Sequence, residues 1–383
     1  HPTDPGKVFY AQGSIYGTKD AGRAWYKHLK KYFQEQGILE SKLERGVYRF
    51  YLKGELVMVL HSHVDDLLVA RKVDCKEVDK ILEEMIRFLH LDKREGEFDY
   101  CGVHVKDSEH NIHITQAKAI KAVEFIPITA ERKKNPEDTA SEEEQSHFRS
   151  TNGQLQWLAH RSRPDIAFEQ NRLAQCTSDL RVKDLIDANK LAEYVKENIE
   201  HGLVFRKGAV DIKTATVLAY GDSSFANMPG EKSQAGAVLC LTNKPREVAD
   251  GNFDKQIPLV WASFRCRRTV RSTLAAEAYS ISEAMEHGQF MRHFLEELFS
   301  PPETRLKKIE SNAVSRPILV ITDSDNLKIT VNRDSGTCAD KRLRIVVSML
   351  RESVEAKENT TLIWARTEAM VADGLTKKLG SLA

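Results

Sequence analysis

Three hundred and eighty-three residues are more than one average domain and enough for two or three. With 41% hydrophobic and 30% charged residues the chain is too apolar to be disordered. Its 57 Lys and Arg against 56 Asp and Glu leave a net charge of +1, so any nucleic-acid surface has to be local. The apolar runs at 56–60 and 235–241 fall far short of the ~18–20 residues a bilayer span needs, so no membrane contact is expected. The six cysteines show no CxxC pair and no zinc spacing, and no signal-peptide pattern follows His1. Together these features point to a reduced, intracellular chain, and the start at histidine to a fragment or processed product.

In chain order, Trp25, Leu29, Tyr32 and Phe33 recur at helical spacing over 20–37, and Gly37 closes the run. Residues 47–52 and 55–60 read as strands joined by Lys53-Gly54. The apolar stretch 63–71 turns on Asp65 and Asp66, 75–91 reads as an amphipathic helix, and 101–105 and 111–115 as a strand pair. Residues 127–147 are polar, hold two prolines and end in an acidic run, the signature of a linker or mobile loop. The stretch 150–205 is mostly helical, interrupted at Arg163-Pro164. From about residue 212 the order becomes β-β-β-α-β-α-β-α, a mixed sheet with helices packed on it.

Four acids mark this last region. Asp222 ends its first strand and Asp323 its fourth, and sites gather at the carboxyl ends of such strands. Glu277 lies at the edge of the apolar stripe formed by Leu274, Ala278, Ile281 and Met285, and Asp373 opens the last predicted helix. Singly, each has an ordinary structural role in a turn, a cap or an ion pair. In this order they suggest two divalent ions roughly 3.5–4 Å apart, clamping the oxygens of a phosphodiester. Magnesium suits such an all-oxygen donor set. At the other end of the chain, Asp65 and Asp66 replace the Asp-Gly or Asn-Gly that a hairpin turn prefers. A polymerase metal site is the sharper reading, and a solvated turn the plainer one.

Several segments resemble copia-type LTR-retrotransposon Pol polyproteins. AYGDSSFA, LVWASFRCRRTVRSTLAAEAYSISEA, ITDSDN and ADGLTKKL are similar to the ribonuclease H domain that ends such polyproteins. GSIYGTKDAGRAWYKHL and HVDD are similar to the reverse-transcriptase segment, and NGQLQWLAHRSRPDIAFEQNRLAQ to its thumb-side helices. The resemblance implies a partial polymerase palm over 1–126, a linker and helical thumb or connection over 127–210, and a ribonuclease H-like domain with a five-stranded mixed sheet over 211–383. It carries the family's four acids onto Asp222, Glu277, Asp323 and Asp373, each site taking two Mg2+, with Mn2+ as a substitute. Asp325, followed by Asn326, also fits the third acid; Asp323 is chosen because it directly ends its strand. Asp65 and Asp66 match the catalytic Y-V-D-D turn, with His63 in place of the tyrosine, and Lys19 and Arg23 match positions near nucleotide and template. The family's other catalytic aspartate lies upstream of any residue here, so DNA synthesis is expected only if that residue is supplied, for instance by the upstream remainder of the polyprotein. The expected partners are RNA–DNA hybrid and template–primer. The rival reading is a degenerate module that grips nucleic acid without cutting it.

Arg265, Arg267, Arg268 and Arg271 cluster just before the Glu277 helix, and Lys341 and Arg342 sit in a second basic run. Such groups suit phosphate-backbone contacts. Trp25, Trp157, Trp261 and Trp364 lie in apolar patterns and are expected in the core.

Overall fold

In the computed structural model, residues 14–15, 17–301, 316–333, 339–355 and 359–378 are described. They form a mixed α/β structure with three sheets, divided between two compact units: His1–Lys93 with Glu296–Lys307, and Arg94–Leu295 with Lys308–Ala383. The division falls after Lys93 rather than at residue 126.

The first unit holds α1 (Ala21–Glu35), β1 (Leu39–Glu40), β2 (Val47–Leu52), β3 (Glu55–His63), β4 (Asp66–Arg71) and α2 (Lys76–Leu89). The strands form one antiparallel sheet in order β1-β2-β3-β4. Leu29, Tyr32 and Phe33 of α1 and Val78 and Met85 of α2 pack on Tyr48, Phe50, Met58 and Leu60, which is why apolar residues recur at helical spacing in one run and alternate in the other. Gly37 takes φ 72°, the left-handed helix end that its position announced. The buried Glu297 carboxylate of this unit accepts from Ser41 Oγ at 2.5 Å and from the Lys42 N–H at 2.9 Å, and pairs with Arg49 Nη2 at 3.2 Å.

In the second unit, β5 (Glu97–Tyr100), β6 (Val103–Asp107), β7 (Asn111–Thr115) and β8 (Leu203–Arg206) form an antiparallel sheet. Strand β8 corrects the helical reading of 150–205: Ile112 and Ile114 pair with Phe205 and Leu203, a long-range partnership that a local pattern does not show. Helices α3 (Ala117–Lys121), α4 (Ala130–Lys133), α5 (Glu142–Arg161), α6 (Ala167–Gln175) and α7 (Val182–Glu197) lie between β7 and β8 in sequence. The segment 127–147 is no mobile loop. Ser141 and Glu144 form a capping box at the start of α5, Arg132 bridges Glu144 and Asp138, and Thr139 pairs with Arg181. Its polar residues bond to one another, which composition alone does not distinguish from solvation.

The rest of this unit is β9 (Thr216–Met228), β10 (Lys232–Thr242), α8 (Pro245–Ala249), β11 (Gln256–Arg265), α9 (Thr273–Phe299, to Leu295 in this unit), β12 (Ile318–Thr322), α10 (Asp325–Asn332), α11 (Lys341–Glu355) and β13 (Thr360–Trp364). The sheet order is β11-β10-β9-β12-β13, with β9, β10 and β11 antiparallel and β9, β12 and β13 parallel. This is the expected strand and helix order, except that the short helix α8 lies between β10 and β11 and that the last predicted helix is two 3-10 turns, Thr367–Ala369 and Val371–Leu375. On one face, Gly288 of α9 comes close to Val217, Ala219 and Ile318. On the other, Leu218, Tyr220, Val238 and Cys240 join the core formed by α5, α6 and α7, and Trp261 Nε1 donates to the Ala159 carbonyl at 2.7 Å. No helix of the described residues is long and apolar enough to cross a membrane.

Candidate metal centre and nucleic-acid interface

The edge of β9 is open where the acids meet. Strand β12 pairs with β9 from Ile318↔Val217 to Ile321↔Tyr220, so the pairing stops short of Gly221 and Asp222. Two glycines let neighbouring elements close on this point. A Cβ on Gly221 would stand 3.0 Å from the Ser280 backbone and the Ile281 side chain of α9. On β10, Gly236 is the cross-strand partner of Asp222; a Cβ there would lie 2.7 Å from Leu375 Cβ and 2.9 Å from the Ala372 carbonyl oxygen. The Ser280 hydroxyl fastens α9 to the strands, with the Asp222 and Gly236 carbonyls at 2.6 and 3.0 Å.

Asp222, Glu277 and Asp323 come together here, each offering a carboxylate oxygen within 4.8 Å of the others. Asp222 and Glu277 are both buried, so Glu277 lies well inside the sheet-facing side of α9 rather than at the edge of its stripe. Asp325, the alternative third acid, is exposed in the first turn of α10 and outside the trio. Asp373, in the turn Val371–Leu375, is also outside it, and its Oδ1 meets Lys377 Nζ at 2.5 Å.

Each of the three grouped carboxylates receives one hydroxyl. Thr376 Oγ1 donates a short bond to Asp222 Oδ2, Ser223 Oγ donates to Glu277 Oε1 at 2.8 Å, and Thr367 Oγ1 donates to Asp323 Oδ2 at 3.2 Å. Glu277 Oε2 is buried with no hydrogen-bond partner. Burial pushes the Asp222 carboxyl up to about 6, with the charges of Asp323 and Asp373 adding to the rise and the Thr376 hydroxyl opposing it. Burial and then the Asp222 charge push Glu277 up to about 8. Trp364 donates its Nε1 hydrogen to the Asp323 carbonyl at 2.9 Å and is 44% exposed; Trp157 is 40% exposed, with the Arg161 guanidinium 4.6 Å from its ring centroid. These two tryptophans correct the expectation of four core indoles: Trp364 ends the outer strand of its sheet, and Trp157 shares its surface with a cation.

Sequence reading missed the hydroxyls and Lys377. Ser223 follows Asp222, and Thr376 and Lys377 follow Asp373, without a local pattern that gives them roles.

The basic residues are exposed. Arg265 ends β11, Arg267, Arg268 and Arg271 follow it, and Lys341 and Arg342 open α11. Backbone N–H groups of Arg342 and Leu343 hold Asp340 below the usual carboxylate range, and the charges of Arg271 and Arg342 both add to that, so one arginine of each basic run acts on the same aspartate.

In the first unit, Asp65 and Asp66 are exposed at the two-residue turn between β3 and β4, where His63 pairs with Asp66. Val64 takes the first turn position with φ 56°, a left-handed conformation costly for a β-branched residue, roughly 1–3 kcal/mol. Trp25 Nε1 donates to the Val64 carbonyl at 2.5 Å and fastens the turn to α1. Among the described residues no third acid joins this pair. Lys19 and Arg23 are exposed, before and inside the first turn of α1.

The sequence profile of the reverse transcriptase (RNA-dependent DNA polymerase) family matches residues 2–134. Over 99% of its length the chain is 22% identical to the Retrovirus-related Pol polyprotein from transposon RE1 of Arabidopsis thaliana, covering 24% of that protein. Over 97% it is 24% identical to the Transposon Ty1-NL2 Gag-Pol polyprotein of Saccharomyces cerevisiae, covering 21%. The chain thus spans about a quarter of the length of these relatives or less. A solved foamy viral protease-reverse transcriptase in complex with RNA/DNA hybrid is similar at a TM-score of 0.41 and 13% identity, over 80% of this chain and 36% of that one. Matched along nearly its whole length, and by the reverse-transcriptase family profile at its start, the chain is similar to copia-type retrotransposon Pol polyproteins.

Proposed function

We propose that the second unit is a ribonuclease H that hydrolyses the RNA strand of RNA–DNA hybrids with Mg2+. The observation that carries this reading is the convergence of Asp222, Glu277 and Asp323 with one buried carboxylate oxygen, Glu277 Oε2, left without a partner. An unpaired buried carboxylate is costly, and an all-oxygen donor set of this kind fits a hard divalent cation. When bound, such ions make water a nucleophile at neutral pH and stabilise the leaving oxygen of a phosphodiester. The chain's own residues prepare for that. Thr376, Ser223 and Thr367 each hold one carboxylate oxygen and leave the other free to ligate. Asp373 is the candidate fourth ligand. Arg265, Arg267, Arg268 and Arg271, with Lys341 and Arg342, would grip phosphates on either strand without reading sequence.

The first unit would supply Asp65 and Asp66 to a DNA polymerase site that needs a further carboxylate, and Lys19 and Arg23 to nucleotide and template. The reading of a module that grips without cutting is favoured by one observation, the pairing of Asp373 with Lys377.

A hybrid-cleavage assay decides between them. Asp222→Asn and Glu277→Gln are each expected to lower Mg2+-dependent cleavage by more than about 100-fold while hybrid binding persists. Cleavage undiminished in both variants, or hybrid binding without cleavage by the wild type, overturns the nuclease.

A further inference from the structure

Asp373 is the one acid of the four that already has a cation. The Lys377 ammonium stands 2.5 Å from its Oδ1, one helical step along the chain (i, i+4). The root of Lys377 is fixed, because the preceding Thr376 is fully buried, donates to Asp222, and has its carbonyl bound by Asn227 Nδ2 at 3.1 Å. The side chain itself is 51% exposed and so free to swing outward. Its ammonium is also close enough for the Asp222 and Asp323 carboxylates to act on it.

Charge arithmetic gives this placement a consequence. Four ionised carboxylates and one ammonium sum to −3, and one divalent ion brings the group to −1. A second ion brings it to +1 if the ammonium stays, but only to zero if it is absent. Lys377 shifts the sum by one unit at each step, and it stands on the carboxylate that the second ion has to claim, so its opposition falls mainly on that ion.

We propose that Lys377 is a positioning residue that acts as a built-in counter-cation: it holds Asp373 out of the acid trio until a second divalent ion displaces it, and so sets the concentration at which that ion binds. This rests on the metal-site reading above and adds to it the order of loading, one ion on Asp222, Glu277 and Asp323 first and the other through Asp373 second.

The test is Mn2+ binding to the full chain at pH 8, followed through the electron paramagnetic resonance signal of free Mn2+. Lys377→Met and Lys377→Gln are expected to tighten the weaker site roughly tenfold and the stronger site by much less. Lys377→Arg is expected to bind as the wild type does. In an Asp373→Asn background, Lys377→Met is expected to change the weaker site less than twofold. Unchanged or weakened binding in both neutral variants overturns the proposal, as does an equal tightening in the Asp373→Asn background. A different result sinks the site itself: a wild type that binds no Mn2+, or binding that survives Asp222→Asn with Glu277→Gln.

Discussion

Glu277 is a carboxylate whose environment favours its neutral form. Its folded value of about 8 lies above the ordinary 4.5, and that of Asp222, about 6, above 3.8. A raised value means the folded state binds the proton more tightly than the unfolded chain does. The stability this contributes is fully present below about pH 4 and is lost as pH rises through 6 and then 8. A tenfold difference in proton affinity between the folded and unfolded chain is worth about 1.4 kcal/mol, so the loss is on the order of a few kcal/mol. The metal-free protein is therefore expected to melt at progressively lower temperature between pH 5 and pH 9 in calorimetry. Glu277→Gln is expected to remove most of that decline, because a neutral amide has no charge to desolvate. Added Mn2+ should restore the wild type at pH 9 and leave the variant unmoved. A wild-type melting temperature flat across this range would mean that the two carboxylates are better solvated than their burial indicates.

At the scale of elements, two glycines allow α9 and the turn Val371–Leu375 to approach the sheet closely enough for Glu277 and Thr376 to reach Asp222. Gly236→Ala would force the turn back from β10 and separate Thr376 from Asp222. It is expected to cost about 1–3 kcal/mol in denaturant unfolding and to weaken Mn2+ binding. Gly153, inside α5 with nothing within 4 Å of an added Cβ, is the control: Gly153→Ala is expected to stabilise by about 0.5–1 kcal/mol. Elements with a strong period were legible in the sequence. Strand β2 spans the residues read for it, 47–52, and β9 to β13 follow in the order expected. Elements defined by distant partners were not. Strand β8 exists because Phe205 meets Ile112, and the acidic run at 142–144 is a helix start because Ser141 and Glu144 cap it. The final turn winds as 3-10 helix, with Gly374 inside it and Leu375 against Gly236.

For the whole molecule, the near-balance of 57 cations and 56 anions means that hybrid affinity has to come from where the cations stand. Arg271 and Arg342, one from each basic run, both act on Asp340 although about seventy residues separate them. Arg267→Ala with Arg268→Ala is expected to weaken hybrid binding uniformly across sequences. It should also flatten the slope of log affinity against log salt by about 2, one for each phosphate that is no longer neutralised. An unchanged slope would place the phosphate grip elsewhere.

What residue type and order determined by themselves was the family resemblance, the succession of strands from about residue 212 onward, and which four acids were candidates for one site. Those are properties of local pattern and chemical type. Only the tertiary structure decided which acids share a point, because Asp222 and Thr376 stand 154 positions apart and their contact depends on how a strand edge, a helix and a turn pack. The same packing gathers three carboxylates, gives each a hydroxyl, and leaves the fourth on Lys377. A linear pattern specifies which charges exist; the distances and burial that set their energies arise only when distant segments close on one another.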